Sequence, residues 1–509
     1  MNRKHVRIVV LAATLALLGA CAVGPDYVRP TIKVPTDFKE MNGWKVAEPK
    51  DDGVRGTWWE LFNDPLLNTL EEQVNISNQN VVAAEAQFRA ARALVQAARS
   101  SYFPTVTAGA SFTRSNKPSG LAGNTKVYSL PVEASWEADV WGRIRRTVEA
   151  NEASAQASAA DLEATRLSVR AELAQDYFQL RALDAQKGLL DSAVVDYQRS
   201  LELTKNRYAS GVAAKSDILQ AETLLKTTEA QALDVGVQRA QLEHAIALLI
   251  GTPASLFSIP VVPLTAIPPV IPVGVPSELL ERRPDIAAAE RRVAAGNAEI
   301  GVAKAAFFPA VTLGASGGFQ ASDLASWLMW PSRFWAIGPA ILETVFDGGL
   351  RRAQTDQVRA AYDADVASYR QTVLTGFQEV EDNLAALRIL DEEARVQDEA
   401  VQAARQSVTL TTNQYKAGIV NYLDVVTVEV IALSNERTAA NILGNRMSAS
   451  VLLIKALGGG WNASALPSVH DLAGMKDGRP ASTGSESVSV NFPVAAAVPG
   501  ERRALHTER

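Results

Sequence analysis

Two stretches of this chain carry one pattern at a fixed separation. Residues 206–222 read NRYASGVAAKSDILQAE and residues 414–429 read QYKAGIVNYLDVVTVE. Tyr208, Gly211, Asp217 and Glu222 of the first match Tyr415, Gly418, Asp424 and Glu429 of the second, each pair 207 residues apart. The match extends outward. SYFPTVT (101–107) returns as AFFPAVT (306–312) after 205 residues, and GRIRR (142–146) returns as GGLRR (348–352) after 206. Ile250-Gly251 and Leu457-Gly458 close the two copies, again 207 apart. So steady an offset defines a tandem duplication, and whatever fold suits one half must suit the other. Between the halves, 253–276 holds seven prolines, which forbid a helix and mark an extended linker.

Each half follows one internal plan. A helical segment rich in Ala, Glu and Arg comes first (66–100 and 278–306). In the second half Pro284 and Asp285 suit the first turn of that helix, where proline loses no hydrogen bond and a carboxylate meets the dipole. After Pro104 and Pro309 the period changes to alternation. Val311, Leu313 and Ala315 alternate with Thr312, Gly314 and Ser316, and Leu130, Val132, Ala134 and Trp136 keep the same step. This predicts β-hairpins over 104–137 and 309–343. Pro131 falls inside one predicted strand, where it costs a ladder bond or marks a bulge.

A very long helix follows. Residues 349–415 number 67, about 100 Å of helix. Val358, Tyr362, Val366, Tyr369, Val373, Phe377, Val380, Leu384 and Leu387 step along it by threes and fours, close to a coiled-coil repeat. No proline interrupts either copy between Pro131 and Pro253 or between Pro339 and Pro467. Gly211 and Gly418 then serve as left-handed residues ending each long helix, before the chain returns as the second arm of a coiled hairpin. Asn421 with Asp424 reads as a capping box opening the return helix, and Ser216 and Asp217 are candidates for the same role in the first copy.

The N-terminus is of another kind. Arg3, Lys4 and Arg7 precede the short apolar run 8–18, which suits a secretory signal. LLGAC resembles a bacterial lipobox, with Cys21 as the lipidated residue; it is the single cysteine of the chain. The alternative is an ordinary secretory signal. Ala22, rather than Asp, favours outer-membrane sorting under the lipoprotein rule, and acyl chains would anchor the chain at roughly 0.8 kcal/mol per buried methylene. The expected organisation is a signal over 1–20, a lipidated extension over 21–57, repeat one over 58–252, the linker over 253–276, repeat two over 277–459 and a partly disordered tail over 460–509.

Composition narrows the function. A net charge of −6 and a pI near 5.5 argue against nucleic acid. His244, His470 and His506 stand apart, so neither a metal set nor a catalytic pair emerges, and GGG and GASGG match no phosphate loop. No enzyme, cofactor or metal is expected. Four strands, each long enough to cross a membrane, carry Phe112, Tyr128, Trp136, Trp327, Trp330, Phe334 and Trp335 near their ends, as the girdles of outer-membrane barrels do. A small soluble sheet would use such aromatics too. If the strands meet lipid, four cannot close a barrel, and open edges would strand backbone groups in hydrocarbon; several chains must share one.

The motifs CAVGPDYVRP, WWELFNDPLLNTL and ERRPDIAAAERRVAAGNAEIGVAKAAFFPAVTL, with the duplicated tip, resemble the TolC-type outer-membrane efflux channels, in their NodT-like lipoprotein branch. The resemblance covers nearly the whole mature chain. It implies a mixed α and β membrane protein, a homotrimer in which each chain gives four strands to one shared outer-membrane barrel and coiled helical hairpins to a periplasmic tunnel. It further implies a periplasmic adaptor and an inner-membrane resistance-nodulation-division pump as partners, with drugs or other small toxic compounds as cargo. Asp424 aligns with a gate aspartate that rings the three-fold axis. The second acidic position of that pattern is Thr427 here, which puts a double ring in doubt. Tyr415 and Asp217 align with a pair linking the two hairpins in the closed state, a bond worth about 1.5–3 kcal/mol if charge-assisted. Tyr208, Gly211, Tyr415 and Gly418 resemble the tips that meet the adaptor. Alternatives are a duct for type I protein secretion or metal-cation efflux and, in another class, a lipid-anchored coiled-coil scaffold.

Overall fold

The computed structural model describes residues 22–40, 56–115 and 125–474. The expected signal, Cys21 and the tail beyond 474 lie outside them. The chain reaches the first helix through a buried 3-10 turn, Trp58–Phe62. Helix α1 (Pro65–Ser77) starts on Asp64, whose carboxylate accepts from the amides of Leu66 and Leu67, with Pro65 in the first turn.

The sequence predicts one helix over 66–100, and here the fold differs. Asn78 is extended (φ −66, ψ 121) and its side-chain oxygen accepts from Asn80 N and Val81 N, so a second helix, α2 (Gln79–Ser100), begins there. Its Nδ2 donates 2.7 Å to the carbonyl of Leu249. That carbonyl ends the return helix α4 (Lys215–Leu249), which follows the 67-residue α3 (Arg143–Ala209). Asn78 therefore splices the end of α4 onto the start of α2, and the two short helices form one interrupted column against α3. The second half builds the same joint from different chemistry. Arg283 precedes α5 (Pro284–Ala305) and donates 3.0 Å to the carbonyl of Ala456, the last residue of the return helix α7 (Tyr422–Ala456), which follows α6 (Leu350–Lys416). Arg283 also pairs with Asp285 and with Glu379 of α6, at 2.7 and 2.6 Å. Corresponding helices have equal lengths in the two halves: 22, 67 and 35 residues.

The main core lies at these joints. Trp58, Phe62, Leu67 and Leu70 pack with Tyr177 and Phe178 of α3, Val380 and Leu384 of α6, and Met447 and Ile454 of α7. Burying such a side chain contributes about 1.5–3 kcal/mol. Of the stripe expected on α6, Tyr369, Val373, Val380, Leu384 and Leu387 are buried, while Tyr362, Val366 and Phe377 pack on their rims. The proline-rich linker is extended and pinned to repeat one. Arg181 donates 2.6 Å to Pro260 O, Arg239 donates 2.6 Å to Ile259 O, and Glu243 accepts from Ile259 N at 2.7 Å.

The strands form one antiparallel sheet: β1 (Thr105–Ala108) and β2 (Ser111–Ser115) along one side of β3 (Thr125–Ala138), then β4 (Ala310–Ala321) and β5 (Arg333–Leu342). β1 and β2 keep one register along β3 and are divided opposite Pro131, which lacks the amide that would join them; Gly109 N still donates 3.1 Å to its carbonyl. On its other side Pro131 faces Gly318, where a Cβ would lie 2.0 Å from Leu130 O. Registered rows share a face. Val106–Ala134–Ala315–Ile337, Val132–Gly317–Trp335 and Trp136–Leu313–Pro339 make one face apolar, and Thr107–Glu133–Ser316–Ala336 and Ser129–Gln320 lie on the other. The apolar face is bare, with Trp335 78% and Ile337 66% exposed. Phe112, Tyr128 and Trp327 cluster at one end, with ring centroids 4.7 and 5.8 Å apart.

Residues 22–40 run as a strap down the helices. Val23 N donates to Trp141 O at 3.0 Å beside the strand–helix junction. Tyr27 donates to Glu290, Arg29 to the hydroxyl of Tyr369, and the amides of Lys39 and Glu40 to the Glu381 carboxylate. Among the described residues no helix is long and apolar enough to cross a membrane.

Candidate functional site

At the far ends of the long helices the two tips meet. Each long helix stops at a glycine in the left-handed region, Gly211 at φ 75 and Gly418 at φ 78. Val212 N bonds back to Arg207 O and Ile419 N to Gln414 O, both at 2.9 Å. These wrap-around bonds satisfy carbonyls that a bare helix end would leave open. A side chain with a Cβ resists that backbone conformation, so glycine is the local requirement.

The return helices start on their aspartates. Asn421 Oδ1 accepts from Asp424 N, and Asp424 Oδ2 accepts from Asn421 N, each at 3.2 Å, a complete capping box. The first tip has half of it: Asp217 accepts from Ala214 N at 3.2 Å. Ser216 does not cap this helix; its hydroxyl donates to Asp217 instead, and the cap position is Ala214. Asp424 and Thr427 are exposed, and the Thr427 hydroxyl donates to Leu423 O at 2.8 Å.

A small core joins the two hairpins just behind the tips. Tyr197 and Leu201 of α3, Ala221 and Leu225 of α4, Tyr415 of α6, and Tyr422 and Val425 of α7 are its buried members. The hydroxyls of Tyr422 and Ser200 bond at 3.0 Å. The sequence resemblance implies a Tyr415–Asp217 bond, and here it is corrected. The Tyr415 hydroxyl is buried without a hydrogen-bond partner among the described residues, and Asp217 is turned to its own helix start. Instead, the Arg207 guanidinium lies 4.6 Å from the centre of the Tyr415 ring. An arginine in the last turn of a helix ordinarily reads as complementing the dipole, so the sequence carried little signal for this contact.

Glu429, one turn and a half behind Asp424, is drawn under the neighbouring helices. Burial, with the negative charge of Asp196 adding to it, raises its carboxyl to about 7. Burial likewise raises the hydroxyl of Tyr422 to about 12. The remaining sequence candidates, Tyr208, Gly211 and Gly418, are all exposed at the tips, with Val212 and Ile419 beside them.

Comparison with known proteins agrees with this architecture. A family model described as outer membrane efflux protein matches twice, over residues 70–252 and 275–459. The probable efflux pump outer membrane protein SepC of Pseudomonas putida is 32% identical over 473 residues, covering 90% of this chain and 98% of that one. Outer membrane protein OprJ of Pseudomonas aeruginosa is 31% identical over 477 residues, covering 91% and 98%. Among solved structures, the outer-membrane channel OprN superposes with a TM-score of 0.81 at 33% identity, covering 87% of this chain and all (100%) of that one. VceC from Vibrio cholerae superposes at 0.74 and 29%, covering 79% and 98%. A sheet continued by coiled hairpins is thus the fold of an outer-membrane channel component. The chain belongs to the outer membrane efflux protein family.

Proposed function

We propose that three copies of this chain close one barrel in the outer membrane and form the exit duct of a tripartite resistance-nodulation-division efflux pump. One observation carries the reading. The sheet is apolar on one face, polar on the other and, among the described residues, unpaired at both edges, β1 and β2 on one side and β5 on the other. Such edges are untenable in lipid unless further copies complete the ladder. In that assembly Trp335 and Ile337 meet acyl chains, and Glu133, Ser316 and Gln320 line the lumen.

The hairpins then carry the lumen through the periplasm to the tips. Asp424, exposed on the second return helix, places three carboxylates around the axis, which favours cations and sets the gate, with Thr427 one turn inward; Tyr415 and Asp217 belong to the same region. Tyr208, Gly211 and Gly418 form the surface for a periplasmic adaptor; Tyr415, expected there too, is instead buried between the two hairpins, because its ring packs into the core behind the tips. Cys21 carries the lipid, and the strap supports this, since Val23 is held at the strand–helix junction where a bilayer would end. The relatives named for toluene, antibiotic and solvent efflux support small organic compounds as cargo.

Planar-bilayer conductance of the trimer tests the reading, wild type beside Asp424→Ala. The expected result is a small cation-preferring conductance that rises, and loses its preference, in the variant. Well-folded protein without a channel would sink the duct; a channel indifferent to the substitution would remove Asp424 from the gate.

A further inference from the structure

The half box at Asp217 and the complete capping box at Asp424 tie each return helix to its own start, and neither crosses from one hairpin to the other. What crosses, at the last turn of the long helices, is the guanidinium of Arg207 on the ring of Tyr415, 4.6 Å to its centre. Arg207 Nε and the Tyr415 hydroxyl are both buried, and neither has a hydrogen-bond partner among the described residues. Arg207 as a whole is half-buried, and where its Nε is withdrawn from water without a hydrogen bond, the aromatic face of Tyr415 offers the cation a favourable contact. The bare hydroxyl shows that the ring, not its polar end, makes the contact.

The duplication sharpens the point. In the second tip the position of Arg207 is taken by Gln414, and the tyrosine matching Tyr415 in the first tip, Tyr208, is 46% exposed. The cation–aromatic contact is therefore made once per chain, from the first hairpin to the second. The remaining bond nearby, Tyr422 to Ser200, lies one layer behind it.

We propose that Arg207 is a positioning residue of the gate: stacked on Tyr415, it holds the second hairpin against the first and keeps the tip closed. This rests on the gate reading given above. Movement of the second hairpin away from the first separates guanidinium from ring before any capping box is disturbed. The latch works through the aromatic face and needs no bond between Tyr415 and Asp217.

The test is open probability of the full-length trimer in planar bilayers at fixed voltage. Assembly is checked for each variant by its migration without heating. Arg207→Met keeps the apolar stem and loses the charge; Tyr415→Leu loses the ring. Each is expected to raise open probability roughly fivefold to tenfold, between the exposed and the desolvated limits of one cation–aromatic contact, and the double variant no further than either alone. Tyr415→Phe keeps the ring and is expected to open far less than Tyr415→Leu. Arg207→Gln, which gives the first tip the residue that the second has at Gln414, serves as an independent variant with the same expectation as Arg207→Met. If Tyr415→Leu opens the channel and both Arg207 variants stay closed, the latch is wrong and the gate stands. If Tyr415→Phe and Asp217→Asn open it as far as Tyr415→Leu, the hydroxyl holds the gate and the proposal is overturned. If none of these variants nor Asp424→Ala alters a conducting trimer, the gate is not at the tip, and the latch falls with it.

Discussion

Glu429 and Glu222 hold equivalent places behind the two tips, yet Glu222 is exposed while Glu429 has a carboxylate oxygen buried without a hydrogen-bond partner among the described residues. Asp196 and Tyr197 face it from α3 and Tyr422 from its own helix, none of them a cation. Its carboxyl is raised to about 7, so the folded tip binds that proton more tightly than the unfolded chain does. Stability is greatest in acid, where both states are protonated, and declines as pH climbs from the ordinary carboxylate range to about 7. Glu429→Gln removes the charged form; its melting temperature is expected to match wild type near pH 4 and to exceed it by a few degrees at pH 8. Equal differences at both pH values would remove the burial argument. The sequence displayed the four matched tip positions plainly, because glycine and a helix-opening aspartate have local backbone roles. It did not display which tyrosine meets which side chain. Tyr415 and Arg207 are 208 residues apart, and only the packing of four helices brings them together.

At the scale of elements, the joints are what a periodicity argument misses. The run 66–100 keeps its apolar spacing through Asn78, so the sequence reads as continuous helix; the break exists because Asn78 finds the end of α4. Asn78→Ala deletes both the cap of α2 and the donor to Leu249 O. A loss of about 1–3 kcal/mol is expected, read as a lower midpoint in denaturant without a change in slope. An unchanged midpoint would show that water replaces both contacts. The strands were legible through alternation, and so was the cost of Pro131. The accommodation opposite it was not, because Gly318 shows its purpose only in register. Gly318→Val should prevent β3 from pairing with β4 and leave the chain unassembled, whereas Gly338→Val, where a Cβ meets nothing within 4 Å, should assemble. Assembly of the Gly318 variant would mean that the sheet shifts register there.

For the whole molecule, the testable consequence is closure. A sheet with two bare edges and one bare apolar face has no stable existence as a monomer in a membrane. Unheated protein in mild detergent is expected to migrate as a trimer and to fall to the monomer only after boiling; a monomer before heating would refute the shared barrel. The duplication, the linker and the long helices could all be read without coordinates. The strap could not, since 22–40 has no periodicity and acquires its path from partners such as Glu290, Tyr369 and Glu381. The two spliced columns have a mechanical side as well. In each half a 67-residue helix runs unbroken beside a column jointed at mid-height. Stiff rods alternating with hinged ones bend most easily at the level of the hinges, so flexure imposed on the tips concentrates there and leaves the strands at rest. The hinges also differ in kind: one is an amide contact, the other an arginine braced by two carboxylates. High salt loosens the second and spares the first, and the chain then yields at one joint before the other.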